Sequence, residues 1–286
     1  MTEIKTFNFK LAALLTILIF FALWFGKKVP QPKKDTLAVN FFEAERFWDG
    51  VKKNKPANPE PKVYAALVPH HLLAGELISG VFEKLKAQGV RKIILIGPNH
   101  YEKGAANLQQ NSANWQTPFG VVYGRLLPTA LLKATAEDIT KEHSVAGLMP
   151  YVAYYLPKAE VFSVIVKHNT KDNELEGLAD ALLKSWDKQT VLLASVDFSH
   201  YLPYEVAQGR DELTKQFLLE LEEKPLYTLN NDYMDSPASV ALMLKVCKKL
   251  SANNFSIVGH SNSAIILNNL SLQSTTSYFT GYCGER

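Results

Sequence analysis

The sequence predicts an α/β domain with a central, largely parallel or mixed sheet and helices on both faces, preceded by one N-terminal transmembrane helix. Two observations favour this architecture. Short apolar, β-branched runs alternate with amphipathic segments over most of the 286 residues, and one uncharged stretch stands near the N-terminus. With 47% hydrophobic residues and only two cysteines, the composition excludes a disordered chain and a disulfide-stapled mini-protein.

The uncharged stretch covers residues 11–26 and is bounded by Lys10 and by Lys27 and Lys28. As a helix it would rise about 24 Å, and snorkelling lysines and Trp24 can make up the difference to a hydrocarbon core of roughly 30 Å. A cleavable signal peptide and a buried core helix are the alternatives, but no small-x-small cleavage site follows, and the stretch is apolar on all faces.

The predicted organisation is therefore an N-terminal flank over 1–10, a transmembrane anchor over 11–26, a linker over 27–36 and the α/β domain over 37–286. This predicts a membrane localisation. The positive-inside rule slightly favours a cytoplasmic location of the domain, but it does not decide on which side of the membrane the domain lies.

The positive charge belongs to the N-terminus. Residues 1–36 carry six lysines and two acids, whereas the remaining chain has 25 basic and 26 acidic side chains. A nearly neutral domain argues against a nucleic-acid partner, which requires a basic face to neutralise phosphates. No glycine-rich nucleotide-binding loop is present either.

The strands of the domain are predicted from short apolar runs bounded by turn residues. In chain order they are Val63–Val68, Lys92–Ile96, Val161–Val166, Val191–Ser195, Phe255–Val258 and Ser277–Tyr282. Helical spacing of apolar residues predicts the helices Val39–Val51, Leu72–Gln88, Glu174–Trp186, Tyr204–Glu223 and Ser236–Leu250. Ser236 and Pro237 suit the N-cap and the first position of the last helix, and the Pro- and Lys-rich residues 52–62 predict a loop.

Histidines follow the predicted strands. Six of the seven stand just after a strand, at His70, His71, His100, His168, His200 and His260, and only His143 lies elsewhere. A single histidine in such a place is most often a capping or surface residue. Because the carboxyl ends of strands in an open α/β sheet form the ligand-binding crevice, six together favour a shared site, and imidazole is the commonest metal ligand in proteins.

Asp197 and His200 lie three residues apart after the fourth strand. A carboxylate can orient a histidine and raise its basicity, whether the histidine binds a metal or moves a proton. The alternative is a helix N-cap and its neighbour.

Four motifs occur in order: Pro69-His70, Pro98-Asn99-His100, Glu142-His143-Ser144 with Pro150 seven residues after His143, and Ser195 to Tyr201 (SVDFSHY). They resemble the Memo-like family, known in bacteria and archaea as AmmeMemoRadiSam system protein B, from about Val63 to Tyr282. The resemblance implies a fold similar to that of class III extradiol dioxygenases, which hold non-haem Fe(II) with two histidines and a carboxylate. It also implies a radical-SAM protein and an AMMECR-domain protein as partners.

Carried over to this sequence, the resemblance makes His70 and His100 metal ligands. The third family ligand is often a cysteine, but the corresponding residues 233–238 (YMDSPA) contain none. We therefore assign Asp235 as the third ligand, with a helix-capping role as the alternative. His143, Asp197 and His200 would line the pocket as catalytic or substrate-contacting residues.

Three functions are compatible with these residues. The first is a metal-dependent enzyme of redox or oxygenase type, with Fe2+ at His70, His100 and Asp235 and with His200 as the proton carrier. The second is a non-catalytic metal- or partner-binding module, because a fold does not establish chemistry. The third is metal-assisted hydrolysis with Zn2+. The small-molecule substrate is not specified by the sequence.

Overall fold

A mixed β-sheet forms the centre of the protein, which we describe from a computed structural model over residues 35–252 and 254–285. In this part of the chain the strands are β1 (Thr36–Ala38), β2 (Val63–Val68), β3 (Lys92–Pro98), β4 (Leu108–Asn111), β5 (Asn114–Thr117), β6 (Gly120–Gly124), β7 (Leu132–Lys133), β8 (Glu160–Val166), β9 (Thr190–Ser195), β10 (Phe198–Leu202), β11 (Ser256–Asn262) and β12 (Thr275–Gly284).

The helices alternate with these strands. They are α1 (Ala44–Lys53), α2 (Gly75–Gln88), α3 (Ala136–Lys141), α4 (His143–Ala146), α5 (Met149–Tyr155), α6 (Asp172–Leu183), α7 (Tyr204–Leu219), α8 (Pro237–Lys249) and α9 (Ser263–Ile266), with 3-10 turns at Leu72–Ala74 and Pro225–Thr228.

The sheet has a parallel centre and antiparallel margins. The main strand order is β1-β5-β6-β8-β3-β9-β2-β12-β10, while β4 pairs with β8 and β11 with β12. Strands β8, β3, β9 and β2 run parallel to one another, whereas β12 runs antiparallel to β2 and β4 antiparallel to β8. The four central strands therefore end at the same edge of the sheet.

Both faces of the sheet are covered, because alternate residues of each central strand point to opposite sides. In β3, Ile94 and Ile96 pack into the core cluster that includes α6 and α8 residues. Ile93 and Leu95 pack into the cluster on the other face, with α2 and α5. Full burial of each such side chain contributes about 1.5–3 kcal/mol, which explains the nearly continuous apolar runs.

The predicted mixed α/β sheet with helices on both faces is confirmed. Ser236 caps α8 as predicted, since its hydroxyl accepts a hydrogen bond from the backbone N–H of Ser239 (3.3 Å). The strand predicted over Phe255–Val258 is longer than its apolar run and continues to Asn262, so His260 lies within a strand rather than after one.

A disulfide joins Cys247 of α8 to Cys283 of β12, a pairing that the sequence did not predict. It closes a loop across 36 residues, a length for which such a bond contributes about 2–4 kcal/mol. The bond fixes the helix that follows Asp235 to the strand beside β2.

The prediction of a transmembrane helix is corrected by the structure. A bilayer requires about 20 apolar helical residues, and none of the helices within residues 35–252 and 254–285 is long and apolar enough to cross one. Residues 11–26, on which the prediction rested, lie outside the described residues, as do the predicted flank and most of the linker. The membrane localisation was inferred from that helix and loses its support with it.

Candidate metal centre

The carboxyl ends of the central strands bring three of the predicted residues together. His70 follows β2, His100 follows β3, and Asp197 follows β9. The rings of His70 and His100 lie edge to face, with their centroids 5.2 Å apart. His70 and Asp197 are almost completely buried, and the His100 side chain retains 24% exposure.

Asp235 reaches the same place from the loop before α8. Met234 forms a β-bridge with Phe198, and the backbone N–H of Asp235 donates to the carbonyl of Asp197 (3.0 Å). Ser236 provides the cap of α8, so the carboxylate of Asp235 is not used for capping and turns toward the histidines.

The contacts of His70 determine which ring nitrogen is free. The Ser195 hydroxyl donates to the carbonyl of Ser144 (2.6 Å), so it can only accept from Nδ1 of His70, which lies 3.1 Å away. Nδ1 therefore carries a hydrogen. The lone pair of neutral His70 is then on Nε2, which points to Oδ2 of Asp235 (3.1 Å).

Glu142 likewise determines which ring nitrogen of His100 is free. Its Oε1 lies 2.6 Å from Nδ1 of His100, and its Oε2 accepts from the backbone N–H of His100 (2.8 Å). Although burial opposes ionisation, hydrogen bonds from His100 and from the Ser144 amide lower the pKa of Glu142. The ionised carboxylate accepts from Nδ1 and leaves Nε2 of His100 to face Asp235 Oδ2 (3.5 Å).

Two imidazole nitrogens thus converge on one carboxylate oxygen. Burial alone would lower the pKa of both histidines, but the charges of Asp197 and Asp235 raise that of His70. Hydrogen bonds to Asp235 and Glu142 raise the pKa of His100 to about 10. Burial would raise the pKa of Asp235, but the charge of His70 and hydrogen bonds to both histidines hold it well below its usual range. The arrangement attracts a cation to the space between these atoms, either protons or a metal ion.

A buried atom without a partner supports a metal ion as the occupant. Oδ1 of Asp235 has no hydrogen-bond partner in the described part of the chain, although the side chain is only 6% exposed. Leaving such an atom unpaired is costly unless a ligand satisfies it. The nitrogen and carboxylate donors and the orphaned oxygen fit a divalent cation.

His143 lies against the two histidine ligands predicted by the sequence. Its ring stacks on His100 at 4.1 Å and meets His70 edge to face at 5.1 Å. Burial and the positive charges of His70 and His100 lower the pKa of His143 to about 4, so its imidazole is neutral at neutral pH. Donor atoms of His70, His100 and His143 form one group with metal-ligand spacing, and those of His70, Asp197 and Asp235 form another.

Asp197 and His200 are placed differently from the predicted pair. Oδ1 of Asp197 accepts from the backbone N–H groups of His70 (3.0 Å) and His71 (3.4 Å), and Oδ2 lies 3.5 Å from Nε2 of His70. Among the described residues no hydrogen bond joins Asp197 to His200, and the buried Nδ1 of His200 has no partner. Asp197 therefore orients His70, and His200 is held by its own backbone pairing with Asn231.

The remaining histidines, His71, His168 and His260, do not belong to this cluster. Nδ1 of His71 pairs with the buried Tyr278 hydroxyl (2.6 Å), and His168 lines a cavity beside the cluster. His260 pairs with Asp211 (2.9 Å). The strand-end pattern thus found the region of the site but overestimated how many histidines share it.

Sequence reasoning did not assign the residues that orient the ligands. Glu142 and Ser195 each stood in a quoted motif without a role of their own. Gly97 is also needed here, because a Cβ at this position would lie 2.7 Å from the Ser144 hydroxyl. For Glu142, its position directly before His143 and Ser144 is a signal that the sequence offered.

The fold and the cluster define an α/β protein with a possible His/His/Asp metal-binding group at the carboxyl edge of its sheet. Comparison with known proteins identifies the family. The sequence pattern of the Memo-like protein family matches residues 43–282, and the chain belongs to this family. The resemblance noted in the sequence is thereby confirmed.

Relatives of known sequence agree with this assignment. A MEMO1 family protein of Pyrobaculum arsenaticum is 27% identical over 217 residues, which cover 71% of this chain and 77% of the relative. A MEMO1 family protein of Pyrobaculum aerophilum is 27% identical over 212 residues, covering 69% and 75%. An uncharacterized Escherichia coli K12 protein of known structure is 13% identical, with a TM-score of 0.41, covering 76% of this chain and 99% of that one.

Proposed function

We propose that this Memo-like protein binds a divalent metal ion through His70, His100 and Asp235 and uses it in redox or oxygenase-type chemistry on a small molecule. The observation that carries the proposal is the convergence of two Nε2 atoms on Oδ2 of Asp235, at 3.1 and 3.5 Å. Two histidines and one carboxylate with open positions are the donor set that suits Fe2+. When bound, Fe2+ would supply redox chemistry at those positions.

The protein's own residues have separate tasks in this proposal. Ser195 and Glu142 hold the ligand rings so that Nε2 is free on each, and Asp197 fixes the backbone at His70 and His71. His200 would move protons, and its buried Nδ1 has no hydrogen-bond partner among the described residues. Neutral His143, stacked on His100, would border the site.

Metal-assisted hydrolysis with Zn2+ is the second candidate. The three imidazoles of His70, His100 and His143 form a group with metal-ligand spacing, and three histidines with one open position are a known catalytic zinc arrangement. In this case His143 becomes a ligand, whereas in the Fe2+ proposal it does not.

Metal content and affinity test the proposal. The full chain would be purified anaerobically and analysed for bound metal, and Fe2+ and Zn2+ titrations would be followed by calorimetry. His70→Ala and His100→Ala should each weaken binding at least about 100-fold, since each removes one of three ligands. His260→Ala is the matched control, because His260 also pairs with a buried aspartate but lies outside the cluster.

The outcomes separate the candidates. If His70→Ala and His100→Ala bind metal as tightly as the wild type, the metal site is refuted. If His143→Ala weakens Zn2+ binding as strongly as His100→Ala does, the three-histidine arrangement is favoured. If metal binds but no turnover follows, the protein is a binding module. Radical-SAM and AMMECR-domain partners stay a prediction.

A further inference from the structure

A cavity of about 480 Å³ opens beside the cluster. It includes two of the proposed ligands, and its lining consists of Pro98, Asn99, His100, Glu102, Val166, His168, Asn230, Asn231, Asp232 and Asp235. This size suits a small molecule. Because His100 and Asp235 line it, the charge of its walls bears directly on which molecules can reach the proposed metal centre.

The outer wall of the cavity carries uncompensated negative charge. Glu102 and Asp232 both line it, whereas the described residues that line it include no lysine or arginine. Within the described residues neither carboxylate takes part in an ion pair, in contrast to Glu176 and Glu223, which pair with lysines. An anionic molecule entering here would meet like charge, which is unfavourable, and a cationic one would be attracted.

Local backbone contacts hold both acidic segments at the cavity. Oε1 of Glu102 accepts from the backbone N–H of His168 (2.8 Å), which ties the turn after β3 to the turn after β8. The backbone N–H of Asp232 donates to Oδ1 of Asn230 (3.1 Å), which forms a tight turn. The two carboxylates therefore belong to ordered turns on the cavity wall.

The orphaned oxygen of Asp235 is a second observation, besides the two acidic residues, that points to a ligand here, whether the proposed metal ion or a molecule that reaches it. The side chain is 6% exposed, its Oδ1 has no partner, and the residue lines the cavity. Polar atoms buried to this degree are normally paired. The cavity thus combines an unsatisfied inner carboxylate with an acidic outer wall.

We infer that the cavity takes a small polar molecule with an amine at one end, bound with its ammonium group at Glu102 and Asp232 and its other polar end toward Asp235. This inference rests on the proposed function, because it names the class of substrate that the same site would accept. It excludes substrates whose outer end is a carboxylate or a phosphate.

A matched pair of probes tests the inference. The compounds 4-amino-1-butanol and 4-hydroxybutanoate share a hydroxyl and three methylene groups, and the other end is CH2–NH3+ in the first and a carboxylate in the second. Their affinities for the full chain would be measured by ligand-observed NMR at low ionic strength, where screening is weak. We expect the amine to bind at least about tenfold more tightly than the carboxylate, a difference that two partly exposed carboxylates can supply.

Variants locate the source of this preference. Glu102→Gln and Asp232→Asn should each reduce the preference about threefold, and the double variant should abolish it. Glu205→Gln is the control, because Glu205 is an exposed acid of α7 that does not line the cavity. Equal affinity of the two probes, tighter binding of the carboxylate, no binding of either, or a preference that survives in the double variant would each overturn the inference.

Metal content measured on the same samples separates this inference from the proposed function. Samples that contain metal but show no preference for the amine contradict the substrate class alone. Samples that prefer the amine but bind no metal contradict the metal site and leave the charge selectivity of the cavity standing.

Discussion

Asp211 and Asp235 are both buried and both contact histidines, but their surroundings differ. Asp211 of α7 is 2% exposed. Its Oδ1 accepts from the Ser199 hydroxyl (2.6 Å) and its Oδ2 pairs with Nε2 of His260 (2.9 Å). Oδ2 of Asp235 faces two imidazoles and accepts from the backbone N–H of Asp197 (3.3 Å), whereas its Oδ1 has no partner among the described residues.

The difference teaches how to distinguish a structural pair from a binding site made of the same residue types. Each oxygen of Asp211 has one donor, so the cluster is complete, and the His260 ring is further fixed by stacking on Phe279 at 4.2 Å. In the Asp235 cluster, two imidazole nitrogens and a carboxylate oxygen face one space, and a second carboxylate oxygen is buried without a partner among the described residues. A metal ion relieves this condition. Asp211 should therefore contribute to stability, and Asp235 to ligand binding.

The largest expected effect is that of Asp235→Asn on metal affinity. The amide has nearly the same shape but no charge to balance a cation, so we expect Fe2+ and Zn2+ affinity to fall at least about 1000-fold, or about 4 kcal/mol. Calorimetric titration measures it. Asp211→Asn is the matched control and should bind metal like the wild type. Equal losses in the two variants would remove the distinction between the clusters.

Asp211→Ala should produce the largest loss of stability. It leaves the buried Ser199 hydroxyl and the half-buried His260 without their partner, for which we expect a decrease of about 3 kcal/mol in the free energy of unfolding. Urea unfolding followed by circular dichroism measures this decrease. Ser199→Ala removes only one of the two hydrogen bonds and should cost about 1 kcal/mol. A stability unchanged by Asp211→Ala would show that the pair is not structural.

The sequence could predict the sheet centre and the residues at its carboxyl edge, because both follow from local patterns. Buried strands are continuous apolar runs, and His70 and His100 come directly after two of them. The transmembrane helix shows the limit of such reasoning, since an apolar stretch was taken for a span that no described helix provides. The strands β4 to β7 were not predicted either, because they are short, and β4 and β5 are polar (LQQN and NWQT).

The distinction between the two aspartates could not be predicted. His260 resembled the other strand-end histidines, and only the extension of β11 to Asn262 places it against Asp211. The tautomers of His70 and His100 depend on Ser195 and Glu142, which are distant in sequence from His70 and His100, respectively. Counting the hydrogen-bond partners of each carboxylate oxygen and imidazole nitrogen requires the three-dimensional structure.

Glu142→Gln should weaken metal binding without removing a ligand. Glu142 holds His100 through Nδ1 and raises its pKa, and loss of a partner that orients a metal-binding histidine typically lowers affinity about 10–100-fold. We expect that range by calorimetry, together with a lower pKa of His100 in the metal-free protein by NMR titration. Glu223→Gln, a partly buried acid on another surface, is the control. A loss as large as that of Asp235→Asn would indicate that Glu142 is itself a ligand.

The smallest effect concerns a third carboxylate, Glu223, which like Asp211 is fully partnered but lies nearer the surface. Burial would raise its pKa, but the hydrogen bond from Lys248 and the charges of Lys248 and Lys245 lower it below the usual value. A carboxylate with a lowered pKa contributes stability above its unfolded value of about 4.3 and loses it as the pH falls through the folded value. Glu223→Gln should therefore cost less than about 1 kcal/mol at pH 7, because Lys248 is partly exposed, and should reduce the fall in stability as the pH drops below about 4.3. Urea unfolding at several pH values measures both. If the free energy of unfolding falls with acid pH as steeply in the variant as in the wild type, the lysines do not stabilise this carboxylate. Complete pairing would then contribute to stability only in the buried Asp211 cluster.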